Sequence, residues 1–183
     1  MITTFLIAVS LAMDAFAVSV TSGLTVRNFS RKHALLLGVY FGGFQFLMPV
    51  LGWLLGSTIA EYVQRFSPWI SFVLLGVIGG KMLLGAIRGE EEPEVPPELS
   101  HKRLFVLAVA TSIDAMAVGI SYAFSDEPIF LNSAVIGIVA FMISYLGGML
   151  GGKLGDRFQS RAEAVGGLVL IGIGIKILLQ GIL

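Results

Sequence analysis

The chain has 183 residues, of which 56% are hydrophobic and 13% charged, and its formal net charge is zero. A soluble domain of this size would carry about 25% charged residues, so the composition indicates a membrane protein with several spans. Cysteine is absent from the sequence, which excludes disulfides, thiol chemistry and zinc–thiolate or iron–sulfur sites. The sequence also lacks the basic stripe that nucleic-acid binding requires, so no nucleic acid is expected as a partner.

Six apolar segments are each long enough to cross the hydrocarbon core, which takes about 20 helical residues. They cover residues 2–24, 33–59, 67–87, 104–124, 129–150 and 162–183. The first segment lacks a basic start and carries Asp14 in its centre, so we interpret it as a retained helix rather than a signal peptide. Pro49 predicts a kink or a tilt in the second segment.

A segment rich in Pro and Glu, residues 89–98, separates the third apolar segment from the fourth. Such a composition cannot form a packed core, so it predicts a solvated linker, with weak cation binding as the less favoured reading. The predicted organisation is a first three-helix repeat at residues 1–88, an acidic linker at 89–102 and a second three-helix repeat at 103–183.

Basic residues are distributed unevenly between the connections. The first, third and fifth connections hold nine of them, namely Arg27, Arg31, Lys32, Arg88, Lys102, Arg103, Lys153, Arg157 and Arg161. The second connection holds only Arg65, and the fourth holds none. Because Lys and Arg in short loops remain on the cytoplasmic side, both termini are predicted to face outward.

The second half of the chain repeats the first. Asp14 aligns with Asp114, and the residues 74–84 resemble the residues 169–179. Glycines of the second and fifth segments align as well, pairing Gly38, Gly52 and Gly56 with Gly137, Gly151 and Gly155. Three spans per repeat force the second copy to enter the membrane from the opposite side. The predicted fold class is therefore an all-α membrane protein with six transmembrane helices in two inverted three-helix repeats, N-out and C-out, as in many secondary transporters.

Asp14 and Asp114 are the main candidate site residues. A carboxylate at this depth costs about 2.5–3.5 kcal/mol on insertion scales, so two copies in equivalent places suggest a shared role. Helical spacing places hydroxyl residues on their faces, namely Ser10 and Thr21 beside Asp14, and Thr111 and Ser121 beside Asp114. Carboxylate, carbonyl and water oxygens are ligands for hard divalent cations. The alternative is a structural polar pair, protonated or bridged by hydrogen bonds.

Four further polar residues lie within the spans. Gln45 could complete a cation's shell or hold helices together, and Ser144 lies at or near the equivalent place in the fifth span. Lys81 and Lys176 could reach the interface by snorkelling, or each could neutralise an aspartate when no cation is bound. In the second case an arriving dication competes with the lysines.

Several motifs together resemble the bacterial MntP family of manganese efflux pumps. They are Met-Asp-Ala-Phe-Ala at 13–17, Asp-Ala-Met-Ala-Val-Gly at 114–119, Gly-Gly-Lys-Met at 79–82 and Gly-Gly-Leu-Val-Leu-Ile-Gly-Ile-Gly at 166–174. The similarity covers the chain apart from the acidic linker, and it implies a six-helix exporter that lowers cytoplasmic Mn²⁺ through the two Asp motifs. Family members can carry Glu where this chain has Gln45, and a related branch is known only as sporulation-associated membrane proteins.

The expected function is that of a secondary transporter in the bacterial plasma (inner) membrane that exports Mn²⁺. The expected metal ligands are Asp14, Asp114 and Gln45, and the candidate charge-compensating residues are Lys81 and Lys176. Mn²⁺ is then the substrate, no cofactor is expected, and the lipid bilayer and a second copy of the chain are the other candidate partners. The alternatives are an exporter of another small cation or amino acid, or a non-transporting membrane protein of sporulation or the envelope. No enzymatic activity is expected, since no catalytic constellation is apparent.

Overall fold

The structure, a computed structural model, describes residues 2–26, 28–56, 66, 69–70, 72–73, 75–80, 83–84, 99–124, 128–158 and 162–182. These residues form helices and short connections, without a strand among them. Each helix is numbered by the predicted span to which it corresponds. The first helix covers Ile2–Thr25, the second Arg31–Leu55, the fourth His101–Tyr122, the fifth Ile129–Phe158 and the sixth Ala162–Ile182. The described residues of the third predicted span, such as 75–80, are helical too.

Within the described residues, four helices are long and apolar enough to cross a membrane. These stretches are Thr3–Thr25, Arg31–Leu55, His101–Tyr122 and Ile129–Leu154. The prediction of an all-helical membrane protein is confirmed at this level. The fifth helix continues eight residues beyond its apolar segment, to Phe158, and includes Lys153. Main-chain hydrogen bonds require no apolar side chains, so a helix can extend past the hydrocarbon into water.

Local signals mark several helix ends. The fourth helix begins after Ser100, whose hydroxyl accepts a hydrogen bond from the backbone N–H of Arg103 at 3.3 Å. A serine in this position satisfies one of the donors that a helix start leaves open. The second helix ends at Gly56, which has φ +50°, a backbone conformation that glycine adopts without steric cost. Pro49 does not interrupt this helix, which is continuous through it.

Helix pairs from opposite halves of the chain pack together and run in the same direction. From the first helix to the fifth, the contacts are Thr4 with Asn132, Phe16 with Gly147 and Val20 with Gly151. From the second helix to the fourth, they are Tyr40 with His101, Gln45 with Thr111 and Pro49 with Gly119. In both pairs the residue numbers rise together, so each pair is parallel.

The second and fifth helices join the two pairs and run in opposite directions. Their contacts are Ala34 with Gly148, Gly38 with Phe141 and Gly42 with Gly137. The first helix is therefore antiparallel to the fourth, and the two aspartates lie on helices of opposite direction. Glycines allow these backbones to come close, as is usual for helices packed in lipid.

Candidate functional site

Asp14 lies in the middle of the first helix and forms an ion pair with the sixth helix. Its Oδ1 accepts a hydrogen bond from the Lys176 Nζ at 3.0 Å. The Asp14 side chain is 14% exposed, whereas Lys176 is 52% exposed, so the carboxylate is the more enclosed partner. The ion pair joins a residue of the first half to a residue of the second half, and it neutralises a carboxylate that is costly inside a membrane.

Asp114 occupies the equivalent place on the fourth helix but has different surroundings. Its Oδ1 accepts a hydrogen bond from the backbone N–H of Ala115 at 2.9 Å, and the residue is exposed on the described part of the bundle. The Asp14 carboxylate and the Lys176 ammonium are both close enough to act on it electrostatically. Asp14 and Lys176 are thus ion-paired, and both contribute to the electrostatic environment of Asp114.

Gln45 is completely buried between the two helices that carry the aspartates. Its Nε2 donates to the backbone carbonyl of Leu11 at 3.3 Å and to the backbone carbonyl of Thr111 at 3.1 Å. Its Oε1 has no hydrogen-bond partner within the described residues. Each accepting carbonyl belongs to the residue three positions before an aspartate, so Gln45 lies one helical turn from both.

The hydroxyl residues predicted beside the aspartates are divided between core and surface. Thr21 and Thr111 are buried, whereas Ser10 and Ser121 are exposed. The Thr111 hydroxyl donates to the Leu107 carbonyl of its own helix at 3.0 Å. It therefore has no free proton to donate, although its oxygen can still accept.

The predicted site also includes a second lysine and a set of metal ligands. Lys81 lies outside the described residues. Within the described residues, no group of three or more His, Asp or Glu side chains could hold a metal ion. A cation at Asp14 and Asp114 would therefore need amide, carbonyl or water oxygens to complete its shell, as hard cations commonly do.

Sequence reasoning missed two polar contacts between helices. The Thr4 hydroxyl donates to the Asn132 Oδ1 at 3.3 Å inside the pair of first and fifth helices. The Tyr40 hydroxyl shares a hydrogen bond with the His101 Nδ1 at 2.8 Å, where the fourth helix begins. Asn132 was recognisable as an amide in an apolar run, but no periodic pattern identifies its partner in another helix.

The apolar helices, two of which carry a carboxylate near the middle, define a multi-pass helical membrane protein with charged groups within its spans, as in transporters of ions. The sequence comparisons give the family. The sequence model described as "Putative manganese efflux pump" matches residues 28–178. The chain belongs to this MntP family, whose members are transporters rather than enzymes and for which manganese is the transported substrate, not a cofactor.

Relatives in several organisms are similar over nearly the whole chain and carry the name "Putative manganese efflux pump MntP". One in Methanosarcina mazei is 52% identical over 179 residues, covering 98% of this chain and 96% of the relative. One in Clostridium perfringens is 45% identical, covering 93% of this chain and 90% of the relative. One in Methanothermobacter thermautotrophicus is 45% identical, covering 97% and 95%. No solved structure matches the chain.

Proposed function

We propose that this protein is a secondary transporter of the bacterial plasma membrane that exports Mn²⁺ from the cytoplasm. The family and the names of the relatives support manganese as the substrate. The ion pair between Asp14 and Lys176, adjacent to Asp114 inside apolar helices, is the observation that carries the mechanism. A lysine ammonium on the Asp14 carboxylate supports the proposal, because a metal cation could replace it there.

The proposed topology has six spans in two inverted three-helix repeats, with both termini outside. The parallel direction of the second and fourth helices supports it, because the chain between them has to return across the membrane once. The distribution of Lys and Arg supports the orientation. The pairing of first with fifth helix and of second with fourth is what a two-fold relation between the halves would produce.

The proposed metal ligands are the carboxylates of Asp14 and Asp114 and the Oε1 of Gln45. Mn²⁺ accepts carboxylate, carbonyl and water oxygens, and the two carboxylates match its charge. The Gln45 oxygen is buried without a partner among the described residues, so it can accept a cation without giving up an existing hydrogen bond. Backbone carbonyls or water would complete the shell.

Lysine is proposed to hold the place of the metal when the site is empty. The Lys176 ammonium occupies one oxygen of Asp14 at 3.0 Å, so an arriving cation must displace it or share the carboxylate. Lys81 is proposed to serve Asp114 in the same way, since it occupies the aligned position in the first half. Site occupancy thereby becomes linked to the position of the helices that carry the lysines.

The energy for export must come from an ion gradient or the membrane potential, because the sequence contains no nucleotide-binding motif. Proton exchange on the same aspartates is the simplest coupling, since each carboxylate can carry either a proton or a metal ion. One export cycle would then begin with metal binding in the cytoplasm as protons leave the carboxylates, followed by outward reorientation of the helices. Metal release outside, proton binding to the carboxylates and inward reorientation would complete it.

The test replaces each aspartate by its neutral isostere in cells that lack their own manganese exporter. Asp14→Asn and Asp114→Asn are each expected to abolish manganese tolerance and to raise cellular Mn under load, as measured by elemental analysis. Asp126→Asn, at an aspartate of the connection between the fourth and fifth spans, is the control and should export normally. Unchanged Mn content with Asp14→Asn would refute the proposed ligand role. Changes in a different metal would identify another cation as the substrate, and no change in any metal would favour a non-transporting role.

A further inference from the structure

We infer that Gln45 is a positioning residue that fixes the spacing of the two aspartate-bearing helices through its amide nitrogen, separately from any ligand role of its oxygen. The proposed effect of Gln45 on the helix spacing applies to the metal-free protein. Its consequence for transport rests on the function proposed above.

The hydrogen bonds of Gln45 use its donors completely. A primary amide has two N–H groups, and the two carbonyls that accept from it lie at 3.3 Å on Leu11 and 3.1 Å on Thr111. Leu11 and Thr111 precede Asp14 and Asp114 by the same three residues. The Gln45 side chain therefore donates a hydrogen bond to the equivalent residue in both copies of the repeated motif.

The carbonyls that Gln45 contacts are available without any change in helix structure. A helical carbonyl accepts from the N–H four residues later and keeps a second lone pair. The Nε2 protons of Gln45 can use these second lone pairs on both helices. In a bundle surrounded by lipid, a buried amide has no water to replace a lost partner, which favours keeping both bonds.

The helix that carries Gln45 is itself firmly placed against the fourth helix. Pro49 lies against Gly119, and Gly52 lies against Met116, so closely that a Cβ atom at either glycine would overlap a backbone carbonyl. The second helix packs much less closely against the first helix. The hydrogen bond to Leu11 thus joins the closely packed second and fourth helices to the first helix. It can therefore set the distance between the first and fourth helices.

Two replacements of Gln45 separate the nitrogen from the oxygen. Gln45→Glu keeps the size and the oxygen, but an ionised carboxylate has no donor and a neutral one has a single donor for two carbonyls. Gln45→Leu removes both donors and the oxygen. Thr111→Val is the control, because it removes the Thr111 hydroxyl while retaining the backbone carbonyl to which Gln45 donates.

The spacing can be measured directly because the chain has no native cysteine. Spin labels are attached to cysteines at Leu6 and Phe124, which are 63% and 69% exposed, at the ends where the first and fourth helices meet. The protein is studied free of metal in lipid nanodiscs. The parent and Thr111→Val should give one narrow distance distribution, whereas Gln45→Glu and Gln45→Leu should broaden it or shift it by about 2 Å, the scale of known helix shifts.

Transport by the same variants in proteoliposomes completes the test, with Mn²⁺ as the probe. A positioning role predicts that the maximal rate of Gln45→Leu, which lacks both donors, falls about tenfold or more, since small misplacements of reacting groups are costly. An unchanged distance distribution in both Gln45 variants would overturn the inference, even if Mn²⁺ affinity dropped. If the parent transported no Mn²⁺, the proposed function would fail, while the metal-free distances would still decide the role of Gln45. If Gln45→Leu is not recovered folded, Gln45→Glu carries the same test.

Discussion

Two adjacent glycines of the second helix allow the helix packing to be tested with a matched pair of variants. Gly42 faces the fifth helix, and a Cβ atom added there would lie 2.7 Å from the Phe141 Cβ and 2.8 Å from the Gly137 carbonyl oxygen. Gly43 is exposed, and a Cβ atom there would meet nothing within 4 Å. Alanine at these two positions therefore adds the same methyl group to two faces of one helix that are about 100° apart, one packed and one open.

The expected energies follow from these distances. Ordinary contact begins at 3.4 Å, so Gly42→Ala must move the second and fifth helices apart by about 0.6–0.7 Å. Overpacking of this kind costs about 1–3 kcal/mol. Both variants also gain helix propensity, about 0.8–1 kcal/mol for alanine over glycine. This gain cancels in the comparison, so Gly42→Ala should be less stable than Gly43→Ala by about 1–3 kcal/mol.

The measurement is the thermal or denaturant-induced unfolding of both purified variants in the same detergent micelle. Gly43→Ala should unfold at or above the midpoint of the parent protein, and Gly42→Ala should unfold clearly below the midpoint of Gly43→Ala. Equal midpoints for the two variants would refute the close approach of the second and fifth helices. A destabilised Gly43→Ala would instead show that this exposed face is covered by another surface.

Two further variants test individual polar contacts. Lys176→Met removes the ammonium that occupies Asp14, so Mn²⁺ should bind with a lower Kd and leave more slowly, whereas Lys176→Arg should resemble the parent. A Kd for Mn²⁺, measured by spectroscopic titration, that is unchanged in Lys176→Met would contradict this competition. Tyr40→Phe removes the hydrogen bond to His101 and should cost about 0.5–1.5 kcal/mol of stability while Mn²⁺ transport continues, as measured by unfolding and by flux.

The sequence allows the helices to be predicted well because the membrane imposes a minimum length on each apolar run. The predicted segments at 2–24 and 162–183 agree closely with Ile2–Thr25 and Ala162–Ile182. The fifth helix exceeds its prediction because its last turns are polar, and hydropathy reports only the part that can lie in hydrocarbon. Apolar length therefore predicts which residues can span the membrane better than it predicts where a helix ends.

The charged residues within the spans could be identified from the sequence, but the contacts that they make could not. Depth and duplication identify Asp14 and Asp114, because an intramembrane carboxylate is costly wherever its partner lies. They do not reveal that Lys176 pairs with Asp14, since either of the two lysines could be the partner of either aspartate. The two hydrogen bonds of Gln45 could not be predicted from the sequence, because their acceptors are backbone carbonyls and every residue type has one.

The parallel pairing of helices from opposite halves has a consequence for synthesis. The first helix packs mainly against the fifth, which begins about 100 residues later in the chain. At typical elongation rates the ribosome needs on the order of ten seconds to supply that partner. During this interval Asp14 has neither the fifth helix beside it nor Lys176 to neutralise it. The nascent first helix must therefore be inserted with an Asp14 carboxyl that lacks its lysine partner. Until the last helix emerges, this carboxyl has to be protonated or to be tolerated as a charge by the translocon and the surrounding lipid.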